Sequence, residues 1–272
     1  MNICIKSNYG SITHFYHFFY GVLIPLILVH LNIKKDLFNI YGDTGPMIKI
    51  LYEMPFTIKV LQHIPNDCYD LIPLDSFKSK FINKRITLQY SEKIKICDFF
   101  EKNIPFYLKD LCFKDIVLIE RNTDPSYKYI DYSKQHIELQ KLGKLSGKER
   151  RYITNHDEIV SYFNTNYNNN FINVSLERTS IYYQYLLFKN AKIIIANHGA
   201  ALSNVIFMNE KASVIEIISK HKLNKENEDT FKNLSVFCKL QHKFIITENE
   251  IDSVDIEKLK KIVNELPSGS LK

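Results

Sequence analysis

Cysteine is scarce in this sequence, and several familiar signatures are missing altogether. The 5 cysteines of the 272-residue chain, Cys4, Cys68, Cys97, Cys112 and Cys238, never fall at CxxC spacing. None clusters with histidine at zinc-ligand spacing. An odd, scattered set argues against a disulfide framework and reads as reduced, mostly buried thiols in a cytosol-like compartment. No Asp-x-Asp pair occurs anywhere, and that pair is the usual way a divalent metal is held on a nucleoside diphosphate. GxGxxG and GxxxxGK[ST] are absent too, which excludes the common dinucleotide fingerprint and the P-loop. There is no internal repeat, no polybasic block and no nucleic-acid recognition module. The net charge of +6 favours anionic ligands, but the lysines are dispersed and read mainly as a solvated surface.

Long apolar runs are also few. Phe15 to Leu31 is the one that resembles a membrane anchor. It sits near the lower length limit for a span and carries His17, Gly21, Pro25 and His30. No basic leader or small-residue cleavage site accompanies it. The expectation is a buried helix, no transmembrane segment and a cytoplasmic protein. Richness in Lys, Asn and Ile suggests an AT-rich genome of viral or bacterial type.

What is present is a globular composition, 45% hydrophobic and 24% charged, organised around Ala191 to Ile218. Lys192–Ala196 is a short β-branched run of strand length. It breaks at Asn197-His198-Gly199. Ala200–Met208 follows as an apolar helix, and Val214–Ile218 as a second strand interrupted only by Glu216. Strand, glycine turn, helix, strand is a βαβ unit of a parallel sheet. The turn opens a helix, whose free N–H groups attract phosphate. Small residues at Gly199, Ala200 and Ala201 allow a diphosphate close to the backbone, and His198 adds a hydrogen bond. Glu216, at the end of the next strand, is placed to hold ribose hydroxyls. A plain tight turn with a packed histidine is the competing reading.

Taken in order, the first half alternates short strands and helices. Strands are expected at Asn2–Lys6, Phe38–Tyr41, Thr57–Leu61, Leu71–Phe77 and Arg85–Tyr90. Helices are expected from Thr13 past Pro25, over Met47–Tyr52 and over Ile94–Lys102. Asn103 to Cys112 reads as a hinge, dividing residues 1–112 from residues 113–272. The second half has strands at Asp115–Glu120, Phe171–Ser175 and Phe244–Thr247. Its helices are Asn155–Phe163 capped by Thr154, Ser180–Phe188, and an amphipathic Ile256–Leu266, which could pack back on the first half. Residues 122–148 read as an irregular stretch and residues 164–170 as a polar loop. The alternation indicates α/β architecture with Rossmann-type parallel sheets.

Two arginines fit a phosphate above Gly199. Arg121 directly follows a strand, at the carboxyl edge of the sheet, and Arg151 opens the segment RYITNHDE. A planar guanidinium grips phosphate oxygens in pairs; surface ion pairing is the alternative. In combination, IVLIER, RYITNHDEI, SIYYQYLLFKNAKIIIANHGAALSNVIFM and SVIEI resemble the C-terminal domain of glycosyltransferase family 61. That family includes plant xylosyl- and arabinosyltransferases, the EGF-domain O-GlcNAc transferase and capsular-polysaccharide proteins. The resemblance rests on Arg121; Arg151, Asn155 and Glu158; Gln184; His198 to Met208; and Glu216. His17-Phe18 and Pro25 match an early stretch of the family, but Gly21 stands where relatives have an acidic residue.

The resemblance implies a GT-B fold, with two Rossmann-like domains facing across a cleft. It implies inverting, metal-independent transfer of a sugar from a nucleotide-sugar donor, most often a UDP-sugar, to a glycan or glycoprotein hydroxyl, with no cofactor. Arg121, Arg151 and the segment His198 to Ala201 would receive the diphosphate and Glu216 the ribose. Asn155 and Gln184 would orient the loops, Gln184 being equally readable as a helix-surface residue. His17 is the candidate base, its alternative being a buried histidine bonded to backbone; His14 is a weaker choice. A catalytically degenerate nucleotide-sugar or glycan binder is the first rival reading, with Gly21 in its favour. A basic, tyrosine-rich nucleic-acid binder is the second, without a module to support it.

Overall fold

The computed structural model describes residues 1–5, 15–42, 46–61, 69–70, 88–121, 151–223 and 230–266. The expected strand at Leu71–Phe77 and the irregular stretch 122–148 lie outside them, as do Thr13 and His14. Two compact units are present: residues Met1–Lys109 with Ser180–Tyr182, and residues Asp110–Thr179 with Tyr183–Lys272.

The first unit holds a parallel four-stranded sheet. Its strands are β1 (Asn2–Ile5), β2 (Leu37–Gly42), β3 (Thr57–Leu61) and β4 (Tyr69–Asp70), in the order β3-β2-β1-β4. Between β1 and β2 the apolar run is helical throughout, as α1 (Phe15–Phe18), a π-turn (Phe19–Leu23) and α2 (Ile24–Ile33). The π-turn has a cause. Pro25 lacks an N–H and its ring crowds the carbonyl four residues back; the Ile24 N–H instead reaches the Phe19 carbonyl and widens that turn. Phe15–Ile33 is long and apolar enough to cross a membrane, yet just over half of it is buried within the protein (56%). Phe18, Phe19, Leu23, Ile24, Leu26 and Ile27 are sealed in the core.

Pro46–Glu53 is a 3-10 helix. α3 (Tyr90–Lys102) starts earlier than its apolar pattern suggests, because Gln89 and Glu92 form a reciprocal capping box at its start. Consequently Tyr90 is helical, and the described end of the expected strand Arg85–Tyr90 is not a strand. Cys4 and Cys238 are buried as anticipated, whereas Cys112 is exposed.

The second unit carries the site. Its five-stranded sheet comprises β5 (Ile116–Glu120), β7 (Phe171–Ser175), β8 (Ile193–Asn197), β9 (Ser213–Ser219) and β10 (Gln241–Thr247). All are parallel, in the order β10-β9-β8-β5-β7. Numbered within this sheet alone the order is 2-1-3-4-5, the doubly wound arrangement whose ligand crevice lies where the winding reverses. Here that point falls between β5 and β8. A small ladder, β6 (Tyr152–Ile153) with β11 (Ile251–Asp252), stands apart.

One sheet face presents Ile116, Leu118, Ile193, Ile195, Ile215, Ile217 and Ile245. They pack on Ile159 and Phe163 of α4 (His156–Tyr167) and on Leu259 and Val263 of α8 (Ile256–Glu265). The final helix is therefore part of the second unit's own core. Asn155, not Thr154, precedes α4, and it makes no side-chain cap there; the Thr154 N–H bonds to Asp252 across the small ladder. α4 also runs into the polar segment expected to be a loop, as far as Tyr167, and Asn168–Asn170 follow as a 3-10 turn. Thr165 and Asn166 bond back to carbonyls one turn earlier, and Tyr167 packs on Phe163. Lastly, α5 (Ile181–Asn190), α6 (Lys220–Leu223) and α7 (Thr230–Phe237) are the other α-helices among the described residues from Asp110 onward.

Candidate active site

β5 and β8 end side by side. Ile119 pairs with Ala196, so Arg121 and His198 leave the sheet together, at the reversal point of the winding. The guanidinium of Arg121 donates to the His198 carbonyl at 3.4 Å, and that of Arg151 donates to the same oxygen at 2.6 Å. The two arginines singled out in the sequence thus converge on one turn.

Gly199 makes that convergence possible. A Cβ placed there would lie 2.6 Å from Nη1 of Arg121 and 3.4 Å from Nη1 of Arg151. Any larger residue would push an arginine out. Its backbone is extended, so the reason for glycine is space. Ala200 and Ala201 begin a 3-10 helix, Ala200–Phe207, in place of the expected α-helix. Its tight winding shows at Leu202, whose N–H bonds to the Gly199 carbonyl at 3.0 Å.

Arg151 is nearly buried, with 8% exposure. Its Nε donates to Glu250 at 3.2 Å, and Lys222 approaches the same carboxylate at 3.8 Å. Arg151, Asn197, His198, Ser219, Lys222 and Glu250 share the lining of a cleft at the carboxyl ends of β8, β9 and β10. This cleft mixes cations with carboxylates, a setting suited to an anionic, hydroxyl-bearing ligand.

Glu216 sits at the centre of β9, paired with Ala196 and Phe244, and not at the strand's end. It has no exposed surface. One carboxylate oxygen takes a short hydrogen bond from Nδ1 of His198, and the other accepts from Nε2 of His242 at 2.9 Å. Burial pushes this carboxyl group's pKa up. Hydrogen bonds from the two histidines, and the favourable electrostatics of their rings, outweigh that and hold it below its ordinary value.

Two of the remaining sequence candidates, Asn155 and Gln184, are braces. Asn155 pairs its amide with Val254, giving and receiving backbone hydrogen bonds of 2.9 Å, and so ties the start of α4 to the segment before α8. Gln184 is buried, not on a helix surface. Its carbonyl accepts from Asn204 at 3.0 Å, and Asn204 also donates to Ala201 at 3.2 Å. Gln184 thereby anchors the 3-10 helix behind the glycine turn. His17 lies in the first unit, on α1, with an exposed side chain and its ring edge-to-face with Tyr16. Its exposure removes the buried-histidine reading.

Three groups escaped sequence reasoning: His242, Ser235 and Glu250. His242 comes 26 residues after Glu216 in an ordinary alternating strand, and only strand pairing reveals its place. A second cluster was missed as well. Asn173 donates to Glu120 at 3.1 Å and bonds His156 at 3.2 Å, securing the first turn of α4 beside the end of β5.

Much of the sequence that builds this site matches a known family. The model of the family described as Glycosyltransferase 61 matches residues 15–215, which include His17, both arginines and the glycine turn. No curated protein matches the chain. With most of its length matched, the chain belongs to glycosyltransferase family 61.

Proposed function

We propose that the protein transfers a sugar from a nucleotide-sugar donor, a UDP-sugar, to a hydroxyl of a glycan or glycoprotein, with inversion and without a metal. The observation that carries this reading is the pair Arg121 and Arg151, held together over Gly199 at the reversal point of a doubly wound sheet. An acceptor oxygen attacks the anomeric carbon as a base removes its proton. The bond to the diphosphate breaks, and nucleoside diphosphate leaves with the electron pair. The two guanidinium groups receive the charge that develops on it, a fixed electrostatic stabilisation of the leaving group. His17 is the proposed base. In a GT-B arrangement the first unit would serve the acceptor and the second the donor; a parallel sheet in each supports the Rossmann-like reading of both.

The direct test is a screen of nucleotide sugars for thermal stabilisation and turnover. A donor at 100 times its Kd should add about 2.7 kcal/mol. The absence of an Asp-x-Asp pair leads us to expect that activity survives EDTA. Activity lost to EDTA and restored by manganese would overturn the metal-independent mechanism. Gly21 favours one alternative, a binder that no longer turns over; stabilisation by UDP-sugar without transfer or hydrolysis would establish it.

Arg151→Ala should weaken donor binding by about 1.5–3 kcal/mol, the loss of one charge-assisted contact. Arg151→Lys should recover only part of it, because an ammonium group lacks the planar fork. Donor titrations on the two variants give both numbers. Unchanged affinity in Arg151→Ala would remove this residue from the site.

A further inference from the structure

Side chains two residues apart on a strand share a face. Ala196, Glu216 and Phe244 lie in register across β8, β9 and β10. His198, two beyond Ala196, and His242, two before Phe244, therefore fall on the same face as Glu216. A buried chain of hydrogen bonds results. Ser235 of α7 meets Nδ1 of His242 at 2.8 Å. Nε2 of His242 meets one oxygen of Glu216, and Nδ1 of His198 meets the other. Ser235 and Glu216 have no exposed surface, and the His242 side chain has 4%. Only His198, at 12%, opens on the cleft.

The proton inventory of this chain has one consistent solution with neutral rings. A carboxylate only accepts, so each imidazole must give it a proton. His242 donates from Nε2, which leaves its Nδ1 to accept from the Ser235 hydroxyl. His198 donates from Nδ1, which leaves Nε2 as a lone pair. Among the described residues, nothing is bonded to that Nε2. The ring cannot turn, because Phe231 packs edge-on against it with centroids 5.3 Å apart and Glu216 holds its other nitrogen. Arg121 and Arg151 already supply the positive charge on this turn.

We propose that Ser235, His242 and Glu216 are positioning residues. They hold His198 as an acceptor, so that its Nε2 receives a hydroxyl of the ligand whose phosphates the two arginines bind. This rests on the donor reading above and deepens it: His198 reads the sugar-bearing portion of the donor, not its phosphate. Glu216, Ser235 and His242 all lie beyond the residues matched by the family model.

Two measurements test it. The first follows ¹⁵N-labelled histidine in the ligand-free protein by NMR at neutral pH. The shifts should show a protonated Nδ1 and bare Nε2 on His198, and the reverse on His242. A His198 ring protonated on Nε2 would overturn the lock, whatever the protein binds. The second compares the Kd values of UDP, a UDP-sugar and inorganic diphosphate on wild type, His198→Ala and Ser235→Ala.

Loss of one hydrogen bond should weaken binding about tenfold in His198→Ala, with diphosphate affinity unchanged. Ser235→Ala should show the same selectivity to a smaller degree. Selective loss already with UDP places the hydroxyl on ribose; loss only with the UDP-sugar places it on the transferred sugar. Equal losses for diphosphate and UDP would overturn the proposal and assign His198 to phosphate. A wild-type protein that binds none of these ligands would overturn the donor reading itself, while the NMR result would still decide whether His198 is locked.

Discussion

His17→Ala is expected to cut turnover by about 10²–10⁴-fold, the usual cost of losing a general base, with donor affinity and melting temperature nearly constant. The base acts on the acceptor's proton, so its loss should leave the ground-state grip on the donor alone. The structure sharpens this expectation, because the His17 side chain is exposed on α1 while its neighbours Phe15, Phe18 and Phe19 carry the packing. A fall in turnover can then be read as chemistry and not as lost folding. Imidazole also titrates near working pH, so the acid limb of the rate profile should disappear in the variant. Donor Kd, single-turnover rate and melting temperature on the same two proteins decide the matter. A fully active His17→Ala protein would exclude this residue as the base.

Glu216→Ala should be strongly destabilising, by about 1–3 kcal/mol for each imidazole N–H left without its acceptor. Removing a shared buried acceptor leaves the donors that faced it unsatisfied, and each then carries its full desolvation cost. Here both His198 and His242 would lose their shared acceptor inside the sheet. Glu216→Gln keeps the shape and one acceptor oxygen, but its amide donors oppose an imidazole N–H, so an intermediate loss is expected.

The pH dependence has a definite direction. The folded-state pKa of Glu216 lies below its unfolded value near 4.5. Its contribution is therefore complete above that value and is lost as pH falls through the folded one. Urea denaturation of wild type and both variants, from neutral pH into the acid range, measures loss and slope together. A wild-type midpoint no higher than that of Glu216→Ala at neutral pH would refute the role given to this carboxylate.

The residues by themselves determined the strands and the turn. IVLIE, KIIIA and SVIEII are β-branched and continuous because their strands are buried on both sheet faces, and their pattern is legible without neighbours. Gly199 stood out for the same reason: small residues after such a run mark a close approach. Arg121 could be placed because a residue just past a parallel strand must lie at the sheet's carboxyl edge. Element ends were less legible. Capping at Gln89 and Glu92 moved the start of α3, and the missing N–H of Pro25 introduced a π-turn; both are local hydrogen-bond effects that hydrophobic period does not record.

Only the tertiary structure decided what the polar residues do. Glu216 looked like a ligand contact because a carboxylate at a strand end is usually accessible. Strand pairing instead put it at mid-strand between two histidines, one contributed 26 residues later. Gln184 could be read from its helix as a surface residue, yet Asn204 bonds its side chain in the interior. Asn155 was read as a group that orients the loops, but its partner, Val254, lies 99 residues on and could not be named from the sequence. Each depends on a partner distant in sequence, and long-range pairing leaves no spacing for the eye to find. Arg121 and Arg151 show the same principle from the other side. Each was recognisable alone, but parallel register and the missing side chain of Gly199 are what bring both guanidinium groups onto one carbonyl.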